Sequence, residues 1–345
     1  MNKPPAPQLG RFDTLPRASL SHLPTPLEEM NNLTETLGGA RLYVKRDDCT
    51  GLAMGGNKTR QLEYYLGDAV AQSADTVLIT GAVQSNFVRM AAAAARKLNM
   101  DIHVQLEQRV PLSDPSYLES GNVLLDRMLG ATIHMYPVGE DEAGADRRLE
   151  EIAADLRRQS RRPFVIHLGL GHPPTGSLGY VRAAVELVGQ MEARELRLDE
   201  VVVASGSGHT HAGLLFGLRA LSCPVRVTGA CVRRGRGEQA PRIKDHCRRI
   251  AQMLEIDNPV RDSDVQLVDD FLAPGYGQFN PPMIEALKLS ARREGLILDP
   301  VYTAKAMATA IHRARELGRG KNLLFVHTGG VPAVFGYQSL LAGVL

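Results

Sequence analysis

The chain has 345 residues, 44% hydrophobic and 23% charged, and 40 basic side chains against 38 acidic ones leave a formal charge of +2. That length suits two ordinary domains or one large two-lobed fold with an ample core, and the composition excludes disordered, collagen-like and disulfide-scaffold classes. The near balance of charge gives no reason to expect a nucleic acid or an anionic membrane surface as partner, and no segment approaches the roughly 20 apolar residues of a bilayer span.

From the N-terminus, residues 1–17 are rich in Pro and polar side chains and lack the apolar centre of a secretory signal. Residues 42–45 and 76–80 read as strands, and 86–98 as an Ala-rich helix. Then follow strand 102–106, helix 117–129, strand 132–136, the charged amphipathic helix 142–158 and strand 164–168. The second half gives helix 178–191, strand 201–204, helix 212–221, strands 225–230 and 266–268, helices 282–293 and 304–317, and strand 323–326. Many strands are continuous apolar runs, as when both faces of a parallel sheet are covered. The alternation predicts an α/β protein built on mainly parallel sheets. A basic run at 233–237 reads as a solvated loop. Cys49, Cys223, Cys231 and Cys247 are scattered with no CxxC pair, which suits reduced thiols in a cytoplasm rather than a zinc site or disulfide framework.

Five motifs sit at strand-to-helix turns or helix starts, where one face of a doubly wound sheet binds ligands. In Gly55-Gly56-Asn57-Lys58-Thr59-Arg60 the glycines permit close backbone approach. A lysine there can form a Schiff base, most commonly with pyridoxal phosphate, or be an ordinary surface residue. Ser205 to Gly213, with Ser207, Gly208, His209 and Thr210, places hydroxyls and free N–H groups at a helix start, which suits a phosphate monoester; a tight turn without ligand is the alternative. His209 and His211, two apart, diverge and do not chelate one metal easily. Gly81 to Asn86 carries Gln84, Ser85 and Asn86, where Ser85 and Asn86 serve equally well as helix caps. The last two are Leu298 to Thr303 and His327 to Gly330.

In order and spacing these segments, with Leu23-Pro24-Thr25-Pro26-Leu27, Val44 to Cys49, Glu119-Ser120-Gly121-Asn122 and Pro274-Gly275-Tyr276-Gly277, resemble the D-cysteine desulfhydrase and 1-aminocyclopropane-1-carboxylate deaminase family of fold-type II pyridoxal-phosphate enzymes, which also includes L-cysteate sulfo-lyase. The resemblance covers nearly the whole chain, about residues 12–340. It implies a two-domain α/β fold like the tryptophan synthase β subunit, with pyridoxal 5'-phosphate in the cleft between the domains. The large domain is expected to span 1–60 and 175–345, the smaller inserted one 61–174. It further implies a small amino-acid substrate and a homodimer.

The resemblance also implies residue roles. Lys58 binds the cofactor and moves the substrate's α-proton. Asn86 bonds the cofactor's phenolic oxygen, and Ser207, Gly208, His209 and Thr210 hold its phosphate. Ser85 lies near the substrate and binds its carboxylate or assists proton transfer, flanked by Gln84. Tyr276 and Tyr302 meet the substrate side chain or leaving group. Thr303 and Thr328 lie near the pyridine nitrogen. The cyclopropane deaminases carry Glu where Thr303 stands, so a neutral Thr favours β-elimination, to pyruvate, ammonia and a thiol, sulfide or sulfite, over ring opening. Deamination, β-replacement or racemisation of another amino acid is the alternative. Phe87, Met90 and His209 depart from the family pattern. Phe87 either makes the substrate wall less polar, shifting specificity, or with Met90 merely repacks the helix start.

Overall fold

A computed structural model describes residues 9–345; residues 1–8, with the expected start of the large domain, lie outside the described residues. The strands are β1 (Leu27–Glu29), β2 (Arg41–Lys45), β3 (Thr76–Ala82), β4 (Asp101–Glu107), β5 (Thr132–Tyr136), β6 (Pro163–Ile166), β7 (Glu200–Ser205), β8 (Arg226–Cys231), β9 (Gln266–Val268) and β10 (Asn322–Val326). The helices are α1 (Asn31–Leu37), α2 (Lys58–Ala71), α3 (Asn86–Lys97), α4 (Pro115–Glu119), α5 (Gly121–Met128), α6 (Glu142–Arg158), α7 (Leu178–Ala193), α8 (His209–Ala220), α9 (Arg236–Leu254), α10 (Pro281–Glu294), α11 (Thr303–Leu317), α12 (Pro332–Gly336) and α13 (Gln338–Ala342).

Two sheets result. One has six strands in the order β1-β2-β10-β7-β8-β9, the other four in the order β5-β4-β3-β6. Every pairing is parallel except the edge pair β1–β2. The larger sheet takes strands from both ends of the chain, joined where β10 lies beside β2. The smaller takes all its strands from residues 76–166. Burial explains the apolar runs: every residue of β3 is buried, as a strand with helices on both faces must be. In α3 the residues from Asn86 to Ala95 are all buried, and its five consecutive alanines let it lie close to the sheet.

All nine predicted strands are present, with ends shifted by a residue or two. The structure departs from the sequence reading elsewhere. The helix expected over 117–129 is broken into α4 and α5. Ser120 is extended there, and Gly121 takes a left-handed φ of +58°. A Cβ at Gly121 would stand 2.6 Å from Gln84 Oε1 and 2.7 Å from the Pro332 carbonyl oxygen, so the break lets the Gln84 loop and the start of α12 approach. The run 233–237 is not a solvated loop. Arg236 opens α9, and Arg233, Arg234 and Arg242 all pair with Glu142 of α6. Despite the cost of burial, these arginines hold the Glu142 carboxyl down at about 2. The cluster therefore clasps an element beside the small sheet to one beside the large sheet.

A second charged cluster fixes the start of α2. Arg60 donates to Asp47 Oδ1 and Oδ2 at 2.9 and 3.0 Å and to Glu186 of α7 at 3.0 Å. Thr25 Oγ1 and Tyr180 Oη donate to the same Asp47 carboxylate, and Lys45 Nζ bonds Glu186 at 2.5 Å. Arg60 and Asp47 are each only 1% exposed, so the pair stands because each carboxylate oxygen is engaged.

Candidate active site

A cleft runs along the carboxyl ends of strands from both sheets, where free loop residues follow each strand. It is lined from the large-sheet side by Asn57, Lys58, Ser207, Gly208, Thr210, Tyr302 and Thr328, and from the other by Ser85, Asn86, Phe87, Arg109 and Asp146.

Lys58 is the first residue of α2. Its ammonium has no carboxylate neighbour. Burial alone lowers its pKa to about 8, and Nζ sits 5.0 Å from the centre of the Phe87 ring. Phe87 thus belongs to the wall beside the lysine. Met90 lies off the lining and packs near Gly56, where a Cβ would come within 3.2 Å of its sulfur.

At the start of α8 the first N–H groups lack partners within the helix. Gly208 has a left-handed φ of +98°, and a Cβ there would meet His246 at 2.9 Å, so the turn needs glycine. His246 Nε2–H donates to the Ser207 carbonyl at 3.0 Å and steadies the loop; burial pushes its pKa down to about 4, so the ring is neutral. Thr210 Oγ1 accepts from Asn57 Nδ2 and Gln61 Nε2, both at 2.8 Å. With two donors already on its oxygen, the Thr210 hydroxyl has its own proton left to give into the cleft.

Ser85 caps α3, its Oγ accepting from Val88 N–H at 3.3 Å, while also lining the cleft. The capping and lining roles therefore coexist. Asn86 Oδ1 accepts from Asn122 Nδ2 at 3.0 Å, which orients the amide so that its NH2 is the free end. Tyr276 and Tyr302 share a hydrogen bond of 2.5 Å between hydroxyls. Burial raises both pKa values, so the pair is neutral at working pH and offers one proton. Arg109, held by two bonds to Glu107 at 2.7 and 2.8 Å, faces them.

Three predicted residues are placed differently. The Gln84 side chain is off the lining; it donates to the Tyr117 and Ser120 carbonyls and accepts from Asn122 N–H, fastening the α4–α5 break. The His209 ring turns away to His246, centroids 4.7 Å apart, leaving its backbone N–H as what it can offer a phosphate. Thr303, fully buried, donates to Asp299 Oδ1 at 2.6 Å. Asp299 lines the cleft but accepts in addition from the N–H groups of Val301, Tyr302 and Thr303. Thr328 is the hydroxyl that faces the cleft at that wall. Sequence reading missed Asn57, Gln61 and Asn122 as supports. Asn57 and Asn122 lay inside recognised motifs, but no local signal showed which atoms they would brace.

These features fit pyridoxal phosphate: a lysine with a lowered pKa, a glycine turn where a Cβ would crowd the His246 ring, and a threonine proton and an asparagine NH2 aimed at acceptors. Gly208→Ala adds a methyl group in a backbone region costing about 1–2 kcal/mol. It is expected to weaken cofactor binding roughly tenfold in an absorbance titration; unchanged affinity would remove this loop from the phosphate seat.

The match to known proteins follows the same lines. The family model described as "Pyridoxal-phosphate dependent enzyme" matches residues 18–329. D-cysteine desulfhydrases of Salmonella typhi and Salmonella choleraesuis (strain SC-B67) are each 42% identical over 336 residues, covering 97% of this chain and 99% of theirs. A crystal structure of an ACC deaminase homologue superposes with a TM-score of 0.85 at 36% identity, covering 99% of this chain and all of that one. O-ureido-L-serine synthase, at 17% identity and a TM-score of 0.65 over 96% of this chain and 95% of that one, shares the fold.

Proposed function

The chain belongs to the pyridoxal-phosphate dependent enzyme family, and from that premise we propose that it is a carbon–sulfur lyase removing sulfide from a small amino acid of the D-cysteine type. The bound cofactor supplies an electron sink that acidifies the Cα proton and lets a group on Cβ depart. Lys58 Nζ is the attachment point and takes the Cα proton, since an amine lowered to about 8 has an appreciable neutral fraction near neutral pH. Ser85 donates its hydroxyl proton to the substrate carboxylate, and the Asn86 NH2 donates to the cofactor's phenolic oxygen. Ser207, Thr210 and the first N–H groups of α8 receive the phosphate. The Tyr276–Tyr302 pair supplies its available proton to the departing sulfur. The Cβ–S electron pair leaves on sulfur, and the resulting enamine hydrolyses in water to pyruvate and ammonia.

Thr328, on the cleft lining, would be a neutral partner for the pyridine nitrogen. The Asp299 carboxylate beside it already takes four donors from its own turn. That wall supports elimination of a good leaving group over opening of a cyclopropane ring. The observation that carries the reading is Lys58, half-buried in the cleft, free of any carboxylate and facing the hydroxyl-lined start of α8. The test is a keto-acid and sulfide assay on both enantiomers of cysteine and cysteate, 3-chloroalanine, serine and 1-aminocyclopropane-1-carboxylate. Pyruvate with equimolar sulfide from D-cysteine is expected. A four-carbon keto acid from the cyclopropane, with no pyruvate from any β-substituted alanine, would instead establish the deaminase reading.

The two sheets support a division into domains near residues 60 and 174. Helices α12 and α13, from the chain's end, pack on α4 and α5. Exposed apolar side chains beside edge strand β5, among them Met128 at 74% and Met135 at 60%, support a homodimer joined through that face. No helix of the described residues is long and apolar enough to cross a membrane, and four free thiols suit a reducing compartment such as the cytoplasm.

A further inference from the structure

A second cluster of ligating side chains lies at the rim of the cleft, and the proposed reaction uses none of it. Asp146 of α6, His167 just after β6 and His172 in the following loop bring three ligand atoms within 4.8 Å of one another. Asp146 Oδ1 stands 3.3 Å from His167 Nδ1, and its Oδ2 stands 3.7 Å from His172 Nε2. Ligands bonded to one tetrahedral ion at about 2.0–2.1 Å are separated by roughly 3.3–3.4 Å. The His167 and His172 rings are stacked, centroids 3.8 Å and planes 7° apart, so turning one imidazole out of the stack is what brings all three ligand atoms onto one ion.

The neighbours favour a cation in that space. His167 Nε2 lies 3.0 Å from Glu150 Oε1. An Nε2–H donated to Glu150 leaves the Nδ1 lone pair facing the Asp146 carboxylate, so two acceptors oppose each other at 3.3 Å. A cation between them resolves that opposition, and a carboxylate behind a ligating histidine is the usual outer support of such a site. A doubly protonated His167 would also satisfy both carboxylates. It does not account for His172 Nε2, turned to the same carboxylate at 3.7 Å, a distance too long for a hydrogen bond.

We propose that Asp146, His167 and His172 bind one divalent d-block ion of the zinc class, with Glu150 as outer-sphere support. Two imidazoles and one carboxylate suit zinc and its neighbours rather than calcium or magnesium, and three protein ligands leave a coordination position open. Asp146, Leu168 and Gly169 line the cleft, so the ion clips the loop after β6 to α6 at the cleft mouth.

The test uses holoenzyme stripped with a chelator and freed of thiols. It is titrated with Co2+ while visible d–d absorption is followed, and with Zn2+ against a chromophoric chelator. One ion per chain is expected. His167→Ala and His172→Ala should each weaken binding by at least roughly tenfold, and Glu150→Gln by about 10-fold or more, with thermal melts showing each variant folded. Absence of stoichiometric Co2+ and Zn2+ binding by the unaltered protein would overturn the proposal. So would affinity unchanged in both histidine variants. The readout is metal binding, so failure here leaves the cofactor and elimination readings standing.

Discussion

Lys58→Ala is expected to lower pyruvate formation by at least about 1,000-fold while leaving the fold intact. The substitution removes both the nucleophile that anchors the cofactor and the base at Cα, and general-base catalysis alone is worth about 10²–10⁴-fold. The amine engages no carboxylate and carries the cost of burial, so its loss does not orphan a partner. Circular dichroism and a melting curve separate a folded inactive variant from a collapsed one. In the unaltered apoprotein, burial favours the neutral amine. Covalent uptake of the cofactor should therefore accelerate as pH rises and level off above about 8. A folded Lys58→Ala variant with near-normal turnover would remove this residue from the chemistry.

The second large effect is on stability. Arg60→Ala is expected to destabilise the protein by about 3–5 kcal/mol, because it removes the ion-pair partner of Asp47 in a nearly dry interior and leaves Glu186 with Lys45 alone. That is a sizeable part of the roughly 5–15 kcal/mol separating folded from unfolded states. Asp47 is held below its ordinary pKa: desolvation pushes it up, but Arg60 and Lys45 outweigh it. Its contribution is therefore present above the unfolded carboxyl's pKa and lost as the solution is acidified through the lower folded value. Chemical denaturation measures the change, and a loss below about 1 kcal/mol would mean that the cluster is not the anchor of α2. Because Lys58 and Arg60 lie two residues apart on that helix, part of any activity lost in Arg60→Ala should return under stabilising conditions.

The alternation of apolar strands and helices was legible because buried parallel strands leave continuous apolar runs, as in Val201–Val203 and Leu323–Val326. What escaped was structure set by partners distant in sequence. Strand β1 has only three residues and exists because β2 pairs with it. The break at Ser120–Gly121 answers to Gln84 and Pro332. Helix α9 was hidden by Gly235, Gly237 and Pro241 at its start, which locally signal a loop. The basic run read as solvated because Glu142, its partner, lies about 90 residues away.

The same limit applied at the site. Motifs brought Lys58, Ser85, Asn86, Thr210, Tyr302 and Thr328 to one cleft. No motif states where a side chain points. Gln84 turned to backbone carbonyls, His209 to His246 and Thr303 to Asp299, each captured by a neighbour that only the fold supplies.

Borohydride reduction of the holoenzyme, followed by peptide mass mapping, tests the central claim most directly. Lys305 is the internal control. Burial likewise lowers its pKa to about 8, but its Nζ donates to the carbonyls of Leu272 and Gly275 at 2.8 and 2.6 Å. The account predicts a single pyridoxyl label on Lys58 and none on Lys305. A label on any other lysine, or none after saturation with the cofactor, would contradict it.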